Sequence, residues 1–212
     1  MKTLIFSDVH GNLPALERML AEETNCESFI CLGDVVNYGP WSNECVALVS
    51  SLPNSKLLMG NHEKDFLNGF YPGNNRVAQQ SFNYNIEDFN EFDAIKKYFQ
   101  SYKIDKYTCQ HTIFDQYIYP DTNAILDNNY IVGHSHHQFK YKNNNFTLYN
   151  VGSVGQNREF INVINYLVYD DVSHLVQMKQ LIYDVDLVIN EMKAKKAPEE
   201  CVNYYLQKMR YS

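Results

Sequence analysis

The chain lacks the cysteine pattern of a stapled or zinc-knotted protein. Its five cysteines, Cys26, Cys31, Cys45, Cys109 and Cys201, are odd in number, widely spaced and without a CxxC pair. That excludes a disulfide framework and fits a reducing cytoplasm. Long apolar runs are also missing, as is a charged leader with an apolar core and cleavage site, so neither a membrane span nor export is expected. Basic charge is scarce as well. A net charge of −7 and a pI near 5.4 disfavour broad attraction to nucleic acid, and a small anionic substrate would need a dedicated positive centre such as a metal. No internal repeat, low-complexity tract or linker interrupts the 212 residues, and 45% apolar with 20% charged residues describes an ordinary globular chain. One domain over residues 1–212 is expected.

What is present is an alternation of strands and helices. "TLIFSD" reads as a strand, followed by Asn12 as an N-cap, Pro14 in the first turn and leucines 13, 16 and 20 at helical spacing. "SFICLGD" is a second strand, "SNECVALVSSL" a helix and "SKLLMGNHE" a third strand. Such a run predicts a largely parallel sheet with ligands at the carboxyl ends of its strands. Residues 64–100 hold two amphipathic segments, "VAQQSFNYNIEDF" and "FDAIKKYF", expected as a helical cover. From residue 103 onward short strands dominate and imply a second sheet. Residues 184–212 then form two helices that pack on the core, one presenting Val185, Val188, Ile189 and Met192, the other Val202, Tyr205, Leu206 and Met209.

Each predicted strand end carries a residue able to bind a hard or borderline cation: Asp8 with His10, Asp34, and Asn61 with His62. Further on come His111 and, in "YIVGHSHHQF", the pair His134 and His136. Parallel strands bring such distant positions to one edge. Carboxylate, imidazole and amide oxygen together suit Mn²⁺, Fe or Zn²⁺ better than Mg²⁺ alone.

The ordered blocks "DVH", "GDVVNYG", "GNHE", an isolated His111 and "GHSH" resemble those of the calcineurin-like metallophosphoesterases. "NVGSVGQNRE", a later "YDV" and two terminal helices are similar to the small bacterial and archaeal phosphoesterases grouped near diadenosine tetraphosphatase. The resemblance implies a four-layer α/β/β/α sandwich, two mixed β-sheets flanked by helices. It implies two divalent ions, Mn²⁺ first, with Fe, Zn²⁺ or Ni²⁺ as the others. Asp8, His10, Asp34 and His136 would bind one ion and Asp34, Asn61, His111 and His134 the other, with Asp34 bridging. Two cations roughly 3.5–4 Å apart would hold an attacking hydroxide and clamp the phosphoryl oxygens. His62 matches the family's catalytic histidine, placed to stabilise the transition state and protonate the leaving oxygen. Ser153 and Arg158 are candidate contacts to substrate phosphate, with a structural turn as the other reading. Glu63 either orients His62 or faces solvent, and His137 and His174 are expected to be structural.

Two departures bear on the substrate. Relatives with GDxxDRG at the second block carry Asp and Arg where this chain has Asn37 and Tyr38, and Thr112 follows His111 where glycine is usual. The resemblance with these departures implies a phosphodiesterase acting on a small phosphodiester or nucleotide. The alternatives are a phosphomonoesterase and a non-catalytic scaffold of the same fold.

Overall fold

A computed structural model describes residues 1–114, 116–143 and 145–212. Strands β1 (Lys2–Phe6), β2 (Ser28–Cys31) and β3 (Ser55–Leu57) alternate with helices α1 (Leu13–Glu22) and α2 (Ser42–Ser51). The cover consists of α3 (Asn61–Asn68), α4 (Arg76–Ile86) and α5 (Phe92–Ile95). Then come β4 (Tyr102–Ile104), β5 (Tyr107–Cys109), β6 (Asn129–Val132), β7 (Gln138–Asn143), β8 (Phe146–Val151), β9 (Val163–Asp170) and β10 (Leu175–Ile182), followed by α6 (Asp186–Ala194) and α7 (Glu199–Leu206). No described helix is long and apolar enough to cross a membrane.

The strands form two mixed five-stranded sheets, ordered β10-β9-β1-β2-β3 and β4-β5-β6-β8-β7. Within the first, β1 pairs in parallel with β2 and β2 with β3, while β9 runs antiparallel to β1. Within the second, β5, β6 and β8 are parallel neighbours. Strand alternation assigns the faces. Leu4, Phe6 and Val168 face a core shared with α1, α2, α4, α6 and α7. Ile5, Ile30 and Leu167 point the other way, onto Cys109, Ile131, Tyr149 and Val151 of the second sheet. The two sheets thus share a dry interface, and Cys109 is spent on packing. The far side of the second sheet, Tyr130, Val132 and Leu148, is covered by Ile113, Ile118, Ala124 and Leu126 from the irregular segment between β5 and β6.

Helix starts follow the expected chemistry. The Asn12 side chain accepts from Ala15 N at 3.2 Å, and Asp184 accepts from Asp186 N at 3.0 Å ahead of α6. Two expectations need correction. "FDAIKKYF" forms a single turn, because Phe99 leaves the helix to bridge Leu58 of the sheet edge. Leu206 and Met209 are exposed, since α7 ends at Leu206 and turns Cys201, Val202 and Tyr205 into the core, with Tyr204 packed at its edge.

Candidate active site

Six loops leave the carboxyl ends of β1, β2, β3, β5, β6 and β8, and they are knitted together by backbone. Asp8 N bonds Gly33 O, His10 N bonds Asp34 O, Gly133 N bonds His111 O and Gly155 N bonds Asp8 O, each at 3.0 Å. This is how residues 8, 34, 111 and 134 arrive at one rim, and Asn61 joins them through the bond from His62 N to Asp34 Oδ1 at 2.8 Å.

The turns are tight enough to force unusual backbone. Asp8, His10, Asp34, Asn37, Tyr38, His134 and His136 have φ between +51° and +75°, a region that costs a non-glycine residue roughly 1–3 kcal/mol and persists only where the surroundings fix it. Glycine is required at two contacts. A Cβ on Gly60 would strike Asp34 Oδ1, and one on Gly133 would lie 2.5 Å from Asp8 Oδ2.

Three groups of ligand atoms result among the described residues, two of them without His62. Asp8, His10 and His136 form one and Asp34, His111 and His134 the other, all atoms within a group lying within 4.8 Å of one another. In the first, Asp8 Oδ1 is 3.1 Å from His136 Nε2 and 3.7 Å from His10 Nε2. In the second, His111 Nε2 is 3.2 Å from Asp34 Oδ2, 3.1 Å from Asn61 Oδ1 and 3.0 Å from His134 Nδ1. Thr112 does not divert His111; its hydroxyl donates to Gln116 O instead.

The outer hydrogen bonds show what these atoms are prepared for. His10 Nδ1 meets Val36 O at 3.2 Å, His111 Nδ1 meets Leu32 O at 3.1 Å and His136 Nδ1 meets Gln156 O at 2.7 Å. A carbonyl only accepts, so each Nδ1 carries hydrogen, and in its neutral form each ring aims its Nε2 lone pair into the rim. His10 Nε2 and His136 Nε2 then face each other at 3.2 Å, a repulsive pair that a cation resolves. Among the described residues, Asp8 Oδ1 is buried without a hydrogen-bond donor. An orphaned carboxylate oxygen amid converging imidazole lone pairs is a donor set that fits divalent metal.

Electrostatics agree. Burial alone would raise Asp8, but His136 and His10 hold it well below the usual carboxylate range. Burial likewise opposes, and His111 and His62 overcome it, in holding Asp34 low. Burial pulls His136 down to about 4 and, with the charge of His111, His134 also to about 4. His111 goes the other way, to about 9, because Asp34 outweighs burial. The charge that favours a proton on His111 equally favours a cation in its place.

His62 is also within reach of His10 and Asp34, yet it is set up differently. Asn37 Oδ1 accepts from Tyr38 N at 2.7 Å, which turns the amide nitrogen toward His62 Nδ1 at 2.9 Å. An amide N–H donates, so Nδ1 accepts and Nε2 carries the hydrogen. His62 therefore offers a donor, not a lone pair. Burial lowers it to about 3, against the pull of Asp34, so it is neutral.

Glu63 neither orients His62 nor faces solvent. It is fully buried. Oε2 accepts from Asp34 N at 2.8 Å and Gly60 N at 2.9 Å, while Oε1 accepts from Val35 N at 2.7 Å and Val36 N at 3.3 Å. Burial first, then Asp34, push its carboxyl up to about 7, against those N–H groups. It clamps the Asp34 loop to the start of α3. Glu63→Gln keeps the shape but turns N–H groups onto two backbone donors. A loss of about 3 kcal/mol is expected, read as a lower urea midpoint; an unchanged midpoint would remove this role.

Ser153 is corrected to its turn reading. Its hydroxyl is buried, donates to Asp8 O at 2.8 Å and accepts from Gln156 N at 2.7 Å, so its single donor is spent on backbone rather than on a phosphoryl oxygen. Arg158 does line the pocket, with His62, Asp34, Tyr38, Tyr71 and Tyr117 around a cavity of about 110 Å³, and donates to Tyr204 Oη at 2.9 Å. It supplies from the β8 end a cation that position 38 lacks. Tyr38 instead packs edge-on against His10 and His62, with centroids at 4.9 and 5.4 Å. Sequence reasoning missed Tyr71, and Tyr117, which stacks on His134 at 3.9 Å; both sit in aromatic-rich irregular stretches with no periodic signal. His137 and His174 lie outside all three ligand groups.

Comparison with known proteins assigns the family and the fold. The family model for calcineurin-like phosphoesterases matches residues 1–190. An uncharacterized protein of Methanocaldococcus jannaschii is 27% identical over 244 residues, covering 92% of this chain and 93% of its own. The phosphodiesterase YfcE of Escherichia coli K12 is 45% identical over 42 residues, 19% of this chain and 23% of its own. The crystal structure of a metallophosphoesterase from Sphaerobacter thermophilus superimposes with a TM-score of 0.81 at 24% identity, covering 97% of this chain and 98% of that one.

Proposed function

The chain belongs to the calcineurin-like phosphoesterases and is a metal-dependent phosphoester hydrolase; from that premise we propose that it cleaves a small phosphodiester at a two-metal centre. Asp8, His10, Asp34 and His136 would hold one ion, and Asp34, Asn61, His111 and His134 the other. Bound there, divalent ions neutralise phosphoryl oxygens and acidify the attacking water.

The observation that carries the diester reading is the charge of the phosphoryl pocket. Among the described residues Arg158 is its one permanent cation, beside the carboxylate of Asp34. A diester brings one negative charge to be matched and a monoester dianion two, so the lighter charge suits this lining. His62 presents its Nε2–H to the same cavity and donates to a phosphoryl or leaving oxygen as charge grows there. Its Nδ1 faces an amide N–H, so it holds its one proton rather than passing it on. The leaving group must then depart largely unaided. Aryl and anhydride leaving groups suit such a site better than simple alkoxides.

The five thiols are buried and unpaired, which supports the cytoplasm as the compartment. A small phosphoester is the only partner proposed, with neither membrane nor nucleic acid.

The metal-loaded protein is expected to hydrolyse bis(4-nitrophenyl) phosphate with a higher kcat/KM than 4-nitrophenyl phosphate. A preference for the monoester would overturn the diester reading. Bound metal without turnover on either ester would return the scaffold reading.

A further inference from the structure

The phosphoryl pocket is too small for more than the reacting group. Its volume of about 110 Å³ falls below the roughly 300–1,000 Å³ of an ordinary ligand pocket. At its rim, Asn61 and His134 belong also to a second cavity of about 400 Å³. The two spaces adjoin at metal-binding residues, so the larger cleft is the neighbouring space open to an ester arm on a phosphorus atom held there.

The walls of that cleft are selective. Phe114 stands 55% exposed on a backbone with φ of +58°, presenting a flat apolar ring to the cavity. Gln100 and Gln110 also line it, and among the described residues neither side-chain amide takes part in a hydrogen bond, so each keeps a donor and an acceptor. Lys64 adds an exposed ammonium. A lipid tail would need an apolar lining that these amides deny. One aromatic face, amides able to meet polar ring edges and one cation together match a nucleoside, since every base has a face to stack and edges to bond.

We propose that this cleft binds the nucleoside arm of the substrate, which makes the substrate class nucleotide phosphodiesters. The assignment rests on the phosphodiesterase reading above and deepens it.

Two substrates with the same leaving group isolate the arm: adenosine 5′-(4-nitrophenyl) phosphate and methyl 4-nitrophenyl phosphate, given to the metal-loaded enzyme. The nucleoside ester is expected to have a KM about tenfold lower, in line with the usual gain from one base stacked on an aromatic ring. Phe114→Ala and Gln100→Ala each remove most of that advantage and leave methyl-ester kinetics within about twofold. Adenosine 5′-monophosphate inhibits methyl-ester hydrolysis at about a tenth of the concentration that ribose 5-phosphate needs. Equal KM values, a preference that survives Phe114→Ala, or equal inhibition by ribose 5-phosphate would overturn the assignment, the last by indicating a sugar site. Failure of the parent reading looks different, because neither diester would turn over. Calorimetry then decides: adenosine 5′-monophosphate binding wild type about tenfold more tightly than Phe114→Ala upholds the nucleoside site, and equal affinity ends it.

Discussion

His62→Ala keeps its bound metal and loses turnover about a hundredfold or more, the usual effect of removing one donor aimed at developing charge. The metal is retained because His62 is outside the ligand sets: its Nδ1 takes the Asn37 N–H at 2.9 Å and its Nε2 carries hydrogen. The turnover is lost because His62 directs an N–H, not a lone pair, into the phosphoryl pocket alongside the Arg158 guanidinium. The fold should tolerate the change. The backbone N of His62 still bonds Asp34 Oδ1 at 2.8 Å, and Glu63 still anchors the helix start. Elemental analysis and 4-nitrophenyl ester kinetics on the same preparation check both halves. Wild-type activity would remove His62 from the mechanism, and loss of metal would make it a ligand.

Asn37→Asp gives the second large effect, and its sign depends on the leaving group. Aspartate at 37 can still accept from Tyr38 N but can no longer donate to His62, so His62 Nδ1 must become the donor. That favours imidazolium and raises the His62 pKa from its buried value of about 3. A protonated His62 can deliver its Nε2 proton to an alkoxide, a step worth about a hundredfold or more where it limits the rate. Alkyl phosphodiesters should therefore gain at least about tenfold, while nitrophenyl esters, whose leaving groups need no proton, gain little. The alkyl-ester gain is present below the raised pKa and is lost as pH rises through it. Wild type, with His62 neutral throughout, should show no His62 limb between pH 5 and 8. A plot of log kcat against leaving-group pKa would be steep for wild type and flatter for the variant; parallel lines would refute the assigned tautomer.

The central part of this site was legible because period and position coincide. Asp8, Asp34, Asn61, His111, His134 and His136 each follow a strand of simple apolar pattern, and parallel pairing forces such ends to a common rim. The resemblance divided them between two ions, and the ligand distances gather Asp8, His10 and His136 into one group and Asp34, His111 and His134 into another, with a third, His10, Asp34 and His62, beside them. Side chains whose role depends on what surrounds a loop were not legible. Ser153 and Glu63 looked available from sequence, yet both are consumed by backbone N–H groups from distant strand ends. Phe114 and Tyr117 carry no periodic signal, because the stretch between β5 and β6 is shaped by the sheet it covers. At the end of the chain, Met209 kept helical spacing beyond the point where the helix stops, and Leu206, the last helical residue, is exposed.

The account turns on two ions sharing Asp34. Metal content of the purified chain after chelation, reloading with Mn²⁺ and removal of excess is predicted at two ions per chain, falling below one in Asp34→Ala. A single ion in wild type, or two retained without Asp34, would contradict it.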